Sequence, residues 1–214
     1  MRLTKYGHAC VRIDGENGAV VIDPGTWSGP VPFDEVRAVL ITHEHQDHLD
    51  AAMLTAACRA DPGLRIHAPA EVADALTDIA ESVVPVAVGD VFTAAGMSVS
   101  AVGGSHAEIY GGLPRCANLG YVVDTPAGRL YHPGDALHVP DQLVDTLLVP
   151  VSAPWLKLAE AIEFVRAVAP RRAFPIHDIL FTDTGNALVD NWIARESRTE
   201  YRRLAVGESI ELSS

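Results

Sequence analysis

The chain predicts an α/β or α+β fold of four layers, with two β-sheets packed together and helices outside. Three observations carry this expectation. Short β-rich apolar runs lead each half of the sequence, with amphipathic stretches after them. The second half repeats the rhythm of the first. Clusters of Gly, Pro, Asp and Asn separate the runs, with no low-complexity tract or obvious linker, so the 214 residues read as one domain, 1–214.

In chain order, residues 3–6, 10–13 and 19–22 are strand-like, and Asp14-Gly15-Glu16-Asn17-Gly18 turns a hairpin between the last two. Asp23-Pro24-Gly25 ends the third, and a Gly/Pro-rich loop leads to Phe33. Val36-Arg37-Ala38-Val39-Leu40-Ile41 reads as a buried strand. Residues 50–60 are helical up to the stop Asp61-Pro62-Gly63. A short strand at 65–67 precedes a helix at 69–80 with Pro69 in its first turn. Residues 83–102 return to strands, broken at Gly89-Asp90 and Ala95-Gly96, and more strands fall at 120–123, 129–131, 146–149 and 173–176. Over 155–168, Leu158, Ile162, Val165 and Val168 recur about one helical turn apart, which is an amphipathic helix. A last helix covers 188–198.

Composition narrows the function. Hydrophobic residues make up 48% and charged residues 21%, enough to bury a substantial core. The net charge is −12, from 16 Lys and Arg against 28 Asp and Glu. With no basic cluster, the chain is a poor partner for a phosphate backbone, so nucleic acid is not expected. Bound divalent cations would offset part of the charge. No apolar run approaches the roughly 20 residues that span a bilayer. The strand pattern starts at once after Met1, leaving no room for a signal peptide. Cys10, Cys58 and Cys116 are odd in number and widely spaced, so they form no disulfide framework. These features point to a reduced, cytoplasmic protein with a small-molecule substrate and no membrane partner. Nothing in the sequence sets its oligomeric state.

The chemistry concentrates in Thr42-His43-Glu44-His45-Gln46-Asp47-His48-Leu49-Asp50. In extended backbone, side chains alternate, so residues 43, 45 and 47 would project to one side, away from solvated Glu44 and Gln46. His48 follows, where a helix can begin. Three His and an Asp so close together suit two metal ions better than an ordinary polar loop. Three more donors stand just past apolar strands: His106 after Gly103-Gly104-Ser105, Asp135 in Tyr131-His132-Pro133-Gly134-Asp135, and His177 after Phe174-Pro175-Ile176. Strand-end loops are where a rigid scaffold presents reactive groups. Five His and two Asp are enough for two metals sharing one carboxylate.

His-x-His-x-Asp-His, then His, then Asp after Gly, then His, in that order, resembles the metallo-β-lactamase-fold hydrolase superfamily. The likeness covers nearly the whole chain, from Asp23 to His177. It implies an αβ/βα sandwich of two mixed sheets flanked by helices, with a binuclear site at one edge. Residue by residue, it implies that His43, His45 and His106 bind one metal, that Asp47, His48 and His177 bind the other, and that Asp135 bridges both. Asp23 would sit behind the ligands and orient their loop. Tyr6-Gly7-His8-Ala9-Cys10, Tyr131-His132-Pro133-Gly134-Asp135 and Phe174-Pro175-Ile176-His177 look closest to small bacterial metal-dependent hydrolases similar to ascorbate-6-phosphate lactonase. In that group the residue matching His8 lies near the site; a buried structural His8 is the other reading.

Two metals imply hydrolysis, because water held between divalent cations loses its proton near neutral pH without a protein base. Asp47 would orient that hydroxide and carry its proton. A small ester, lactone or phosphoester is the expected substrate. Zinc is the first choice of metal, with manganese and iron also compatible with His/Asp ligands. An iron-dependent oxidoreductase of the same fold is an alternative, but those relatives replace the second His of the cluster by Glu, and His45 stands there here. A non-catalytic metal-binding or regulatory protein is the other alternative, although none of the ligands is missing. His132 belongs behind the ligands or in a plain turn, as does His138. His67 reads as structural, Cys58 as core and Cys116 as a bystander thiol or a group facing the site. Tyr110, Trp155 and Phe181 line a pocket or pack its rim.

Overall fold

The computed structural model describes residues 1–212, and two seven-stranded sheets form its centre. The first sheet uses β1 (Arg2–Gly7), β2 (Cys10–Gly15), β3 (Gly18–Ile22), β4 (Val36–Leu40), β5 (Arg65–Ala68), β6 (Val83–Pro85) and β14 (Ser209–Glu211). Its order is β14-β1-β2-β3-β4-β5-β6, antiparallel as far as β3 and parallel beyond it. The second sheet uses β7 (Val91–Ala94), β8 (Met97–Gly103), β9 (Leu119–Thr125), β10 (Gly128–His132), β11 (Thr146–Pro150), β12 (Arg172–Ile176) and β13 (Glu200–Tyr201). It runs β7-β8-β9-β10 antiparallel, then β10-β11-β12-β13 parallel, the same plan as the first.

Strand periodicity explains the layering. Val20, Ile22, Ala38 and Leu40 point between the sheets, where they meet Val99, Tyr121, Val123, Leu148 and Ile176. Their alternating neighbours Val21, Val39 and Ile41 point outward and pack on Leu54, Cys58, Val72, Leu76 and Ile79. In the second sheet Leu147 and Val149 face outward onto Ile162, Phe164, Val165, Val189 and Ile193. Strands covered on both faces must be apolar at every position, which is why they appear in the sequence as continuous hydrophobic runs. The four-layer sandwich follows, and no helix among the described residues is long and apolar enough to cross a membrane.

The helices depart from the sequence reading in detail. α1 (Ala51–Ala60) starts after Asp50, whose carboxylate accepts the Met53 N–H at 2.9 Å. The helix expected over 69–80 is instead α2 (Ala70–Ala75) and a 3₁₀ turn, Thr77–Ser82, with the break at Leu76. That break keeps both Leu76 and Ile79 in the cluster on α1. α3 (Leu158–Val168) begins three residues later than expected, at the point where Glu160 caps the Lys157 N–H. α4 (Asp183–Glu196) begins five residues earlier, capped by Thr182 on the Gly185 N–H. Gly185 and Asn186, poor helix formers, hid that first turn. The edge strands β13 and β14 are too short and polar to signal themselves, and only tertiary pairing creates them.

Candidate metal centre

The centre lies where the two sheets meet at one edge. Thr42 follows β4, and its carbonyl accepts the Leu119 N–H at 2.8 Å from the second sheet. The His177 N–H, past β12, donates to the His8 carbonyl at 3.1 Å in the β1–β2 turn. His8, Asp23 and His177 all sit in the left-handed backbone region, at φ of 45°, 51° and 55°. Non-glycine residues rarely occupy it, at a cost of about 1–3 kcal/mol each, and such strain clusters where packing over-determines a working site.

The histidine cluster does not continue as extended backbone. It turns, with the N–H groups of His48 and Leu49 both donating to the His45 carbonyl at 2.9 Å. Residues 43, 45 and 47 therefore do not share one side, as they would in extended backbone. His43 and His45 join His106, whereas Asp47 swings away to join His8, His48 and His177; His43, His48 and Asp135 form a third group between them. Donor atoms in each group lie within 4.8 Å of one another. Glu44 and Gln46 are exposed, as expected. The turn fits because Gly25 backs directly onto the Asp47–His48 peptide, and a Cβ there would collide with it. Gly25→Ala is expected to cost about 1–3 kcal/mol by overpacking and to lower metal affinity with it, measured by thermal melting with and without metal.

Five imidazoles share one arrangement, with one nitrogen tied from behind and the other turned inward. His43 Nδ1 is 2.9 Å from Thr42 Oγ1. That hydroxyl gives its proton to Asp23 at 2.7 Å, so it accepts from His43. His48 Nδ1 is 2.7 Å from Asp23 Oδ2, and His106 Nδ1 donates to the Ala107 carbonyl at 2.6 Å. His177 Nδ1 donates to the Ser152 carbonyl. His45 is reversed: its Nε2 is 3.9 Å from Cys116 Sγ, and its Nδ1 faces His43 Nε2 at 3.1 Å. Such backing fixes tautomer and ring direction.

The inward nitrogens of His43 and His45 face each other, and most of the other inward atoms have no hydrogen-bond partner. Nε2 of His48, His106 and His177 and Oδ1 of Asp135 are buried without one. Even so, His48 Nε2 is 3.1 Å from Asp135 Oδ1, and Asp135 Oδ2 is 3.4 Å from His106 Nε2 and 3.0 Å from His177 Nε2. Asp47 Oδ2 is 3.4 Å from His177 Nε2 and 3.7 Å from His48 Nε2. Ligand atoms about 2.0–2.1 Å from a tetrahedral cation stand about 3.3 Å apart, so this spacing fits the group. Buried polar atoms left without partners are costly, and a cation at their common focus would satisfy them.

Charge is arranged to match. Burial opposes ionisation of Asp135, but His48, His106 and His177 outweigh it and hold the carboxyl well below its usual range. Asp47 is also held low, against its burial, by His177, His8 and His48. Burial likewise works against protonation of His48, yet Asp135 and Asp23 raise it well above the ordinary value. His177, pulled down by burial, is lifted to about 9 by Asp135 and Asp47. Burial lowers His43, His45, His8 and His132.

His8 lies at the site: its Nε2 is 3.1 Å from Asp47 Oδ2, and its ring centroid is 4.0 Å from that of His177. Asp23 is fully buried behind Thr42 and His48. His132 supports from below, donating from Nε2 to the Ala9 carbonyl at 2.9 Å and accepting the Gly134 N–H at 3.1 Å. Exposed His138 takes no place in the cluster. His67 stacks on Phe92, and Cys58 is in the core. Cys116 faces the edge of the site through His45. Trp155 stays outside α3 and donates from Nε1 to Asp135 Oδ2 at 3.1 Å.

One part of the site was missed in the sequence. Buried Lys5 donates to the Pro175 carbonyl at 2.8 Å and to Asp178 at 2.5 Å; Arg203 joins Asp178 to Asp190. This network pins the segment around His177. Its signal was the register: Lys5 shares the inward face of β1 with Leu3.

A family model described as a β-lactamase superfamily domain matches residues 2–177. Protein Rv0786c of Mycobacterium tuberculosis is 36% identical over 207 residues, covering 95% of this chain and 96% of that protein. A UPF0173 metal-dependent hydrolase of Archaeoglobus fulgidus is 29% identical over 199 residues, covering 83% of each. Among solved structures, Igni18, a metallo hydrolase from Ignicoccus hospitalis, shares the fold with a TM-score of 0.75 at 18% identity, covering 98% of this chain and 97% of that one.

Proposed function

Since the chain belongs to the metallo-β-lactamase-fold superfamily, we propose that it is a metal-dependent hydrolase with a binuclear centre acting on a small ester, lactone or phosphoester. The observation that carries this reading is the orientation of His48, His106 and His177, each tied from behind through Nδ1, with their Nε2 atoms and Oδ1 of Asp135 left for cations. The name of the Archaeoglobus relative supports hydrolysis, and the motif likeness to ascorbate-6-phosphate lactonase supports testing lactones. In this reading residues 1–214 act as one domain in the cytoplasm.

His43, His45 and His106 hold one ion, Asp47, His48 and His177 the other, and Asp135 both. Zinc is the first candidate, with manganese or iron also suited to these donors. When bound, such ions act as Lewis acids on the scissile carbonyl or phosphoryl oxygen and acidify water. Asp47 is the partly exposed carboxylate of the site, and His8 on one of its oxygens orients it to take up and pass on a proton. Trp155 donates to Oδ2 of Asp135 and Oδ1 is buried without a hydrogen-bond partner, so the carboxylate is held where it would serve both ions. Thr42, Asp23, Ser152 and Ala107 keep the rings from turning. Metal analysis of purified protein, followed by a panel of lactone, ester, thioester, phosphodiester and β-lactam substrates, tests the reading. Fewer than one metal per chain, or no turnover by fully loaded protein across the panel, would overturn it.

Proton release gives a separate check. In the metal-free protein His48 and His177 carry raised values and are protonated at pH 7. Loading should displace one proton from each, read by calorimetry in buffers of different ionisation enthalpy, and affinity should climb as pH rises toward about 9. Stability of the metal-free form runs the other way. The contribution of His177, raised from 6.5, is complete below about pH 6.5 and lost as pH passes about 9.

A further inference from the structure

A cleft of about 500 Å³ opens beside the centre, walled by His8, Trp27, Ile179, Phe181 and Val206. Small-ligand sites typically run from about 300 to 1,000 Å³, mostly apolar with a few placed polar groups. Here Trp27, Ile179, Phe181 and Val206 are all exposed, which is an unusual concentration of large apolar side chains. The cleft is joined to the centre through its wall. His8 reaches Asp47, the edge of Trp27 packs on the His8 ring at 4.9 Å, and Asp178 directly follows His177.

Charge decides what the cleft can hold. Apart from His8, its ionisable lining groups are Asp178 and Arg203. Arg203 is spent on Asp178 and Asp190, and Asp178 also receives Lys5. Two cations and two carboxylates cancel, leaving no free cation for an anionic group and no free carboxylate for a cationic one. The far side of the centre differs: a hollow of about 150 Å³ there is lined by Glu44, His45, His106, Arg115 and Cys116.

Resting on the hydrolase reading above, we propose that this cleft binds an uncharged hydrocarbon tail of the substrate on the His8 side of the centre. Metal-loaded protein is titrated calorimetrically with 1-butanol, 1-hexanol and 1-octanol, and assayed separately on neutral esters of one leaving group from acetyl to octanoyl. Affinity for the alcohols should rise at least twofold per methylene, full burial giving about fourfold. Ile179→Asp, at an exposed position, should flatten the series while metal content stays unchanged, and Val206→Asp, at a second exposed lining position, should do the same. A flat alcohol series in the unmodified protein, or octanol binding undiminished in both variants, overturns the assignment. If alcohols bind with length dependence and neither these esters nor the lactone, thioester, phosphodiester and β-lactam panel turns over, the hydrolase reading fails and the cleft stands. If esters are hydrolysed and alcohol affinity is flat, the cleft assignment alone fails.

Discussion

Asp135→Ala is expected to strip the protein of metal and of hydrolysis together. The carboxylate stands 3.1 Å from His48, 3.0 Å from His177 and 3.4 Å from His106, which puts it in reach of both histidine sets. Its loss removes the only negative charge shared by the two proposed ions. Losing an outer partner typically costs 10–100-fold in affinity or activity, and a bridging ligand should exceed that, on the order of a thousandfold in turnover. The fold should survive: Asn118 Nδ2 still donates to the Pro133 carbonyl at 2.9 Å, and its Oδ1 still takes the residue-135 N–H, also at 2.9 Å. Metal content by elemental analysis, with circular dichroism as the control, decides the matter. Two metals per chain in a folded variant would refute the bridging role.

Asp23→Ala should instead strike stability first. Asp23 is wholly buried and accepts the Thr42 N–H at 2.8 Å, the Thr42 hydroxyl at 2.7 Å and His48 Nδ1 at 2.7 Å. Removing it strands three buried donors, one of them an imidazole raised well above its ordinary value partly by this carboxylate. Breaking a buried pair on one side costs about 3–5 kcal/mol. For a chain of this length that is a drop in Tm of roughly 10 °C. Metal affinity should fall a further 10–100-fold as His48 loses its fixed direction. An unchanged melting curve would show that Asp23 does not hold the loop.

Much of the architecture was readable because it is local. Val20 to Ile22 and Leu147 to Val149 are apolar at every position, which announces strands covered on both faces. The boundaries of α3 and α4 were not, because Glu160 and Thr182 set them by capping a few residues away from the hydrophobic repeat. α2 shows the limit of periodicity: packing on α1 favoured a break at Leu76 over a continuous helix. At the centre, the sequence showed the donor types and their order. It misjudged the path of the cluster, since alternation assumes extended backbone and the chain turns at His45.

What the sequence determined by itself is the layered fold and the stock of imidazoles and carboxylates, because hydrophobic period and residue type are properties of short stretches. What only the tertiary structure decided is their grouping. Asp47 meets His8 and His177, Trp155 meets Asp135, and Lys5 meets Asp178 across distances in the chain that no local pattern spans. The left-handed backbone of His8, Asp23 and His177 belongs to that second class, since such conformations persist only where surrounding packing over-determines them.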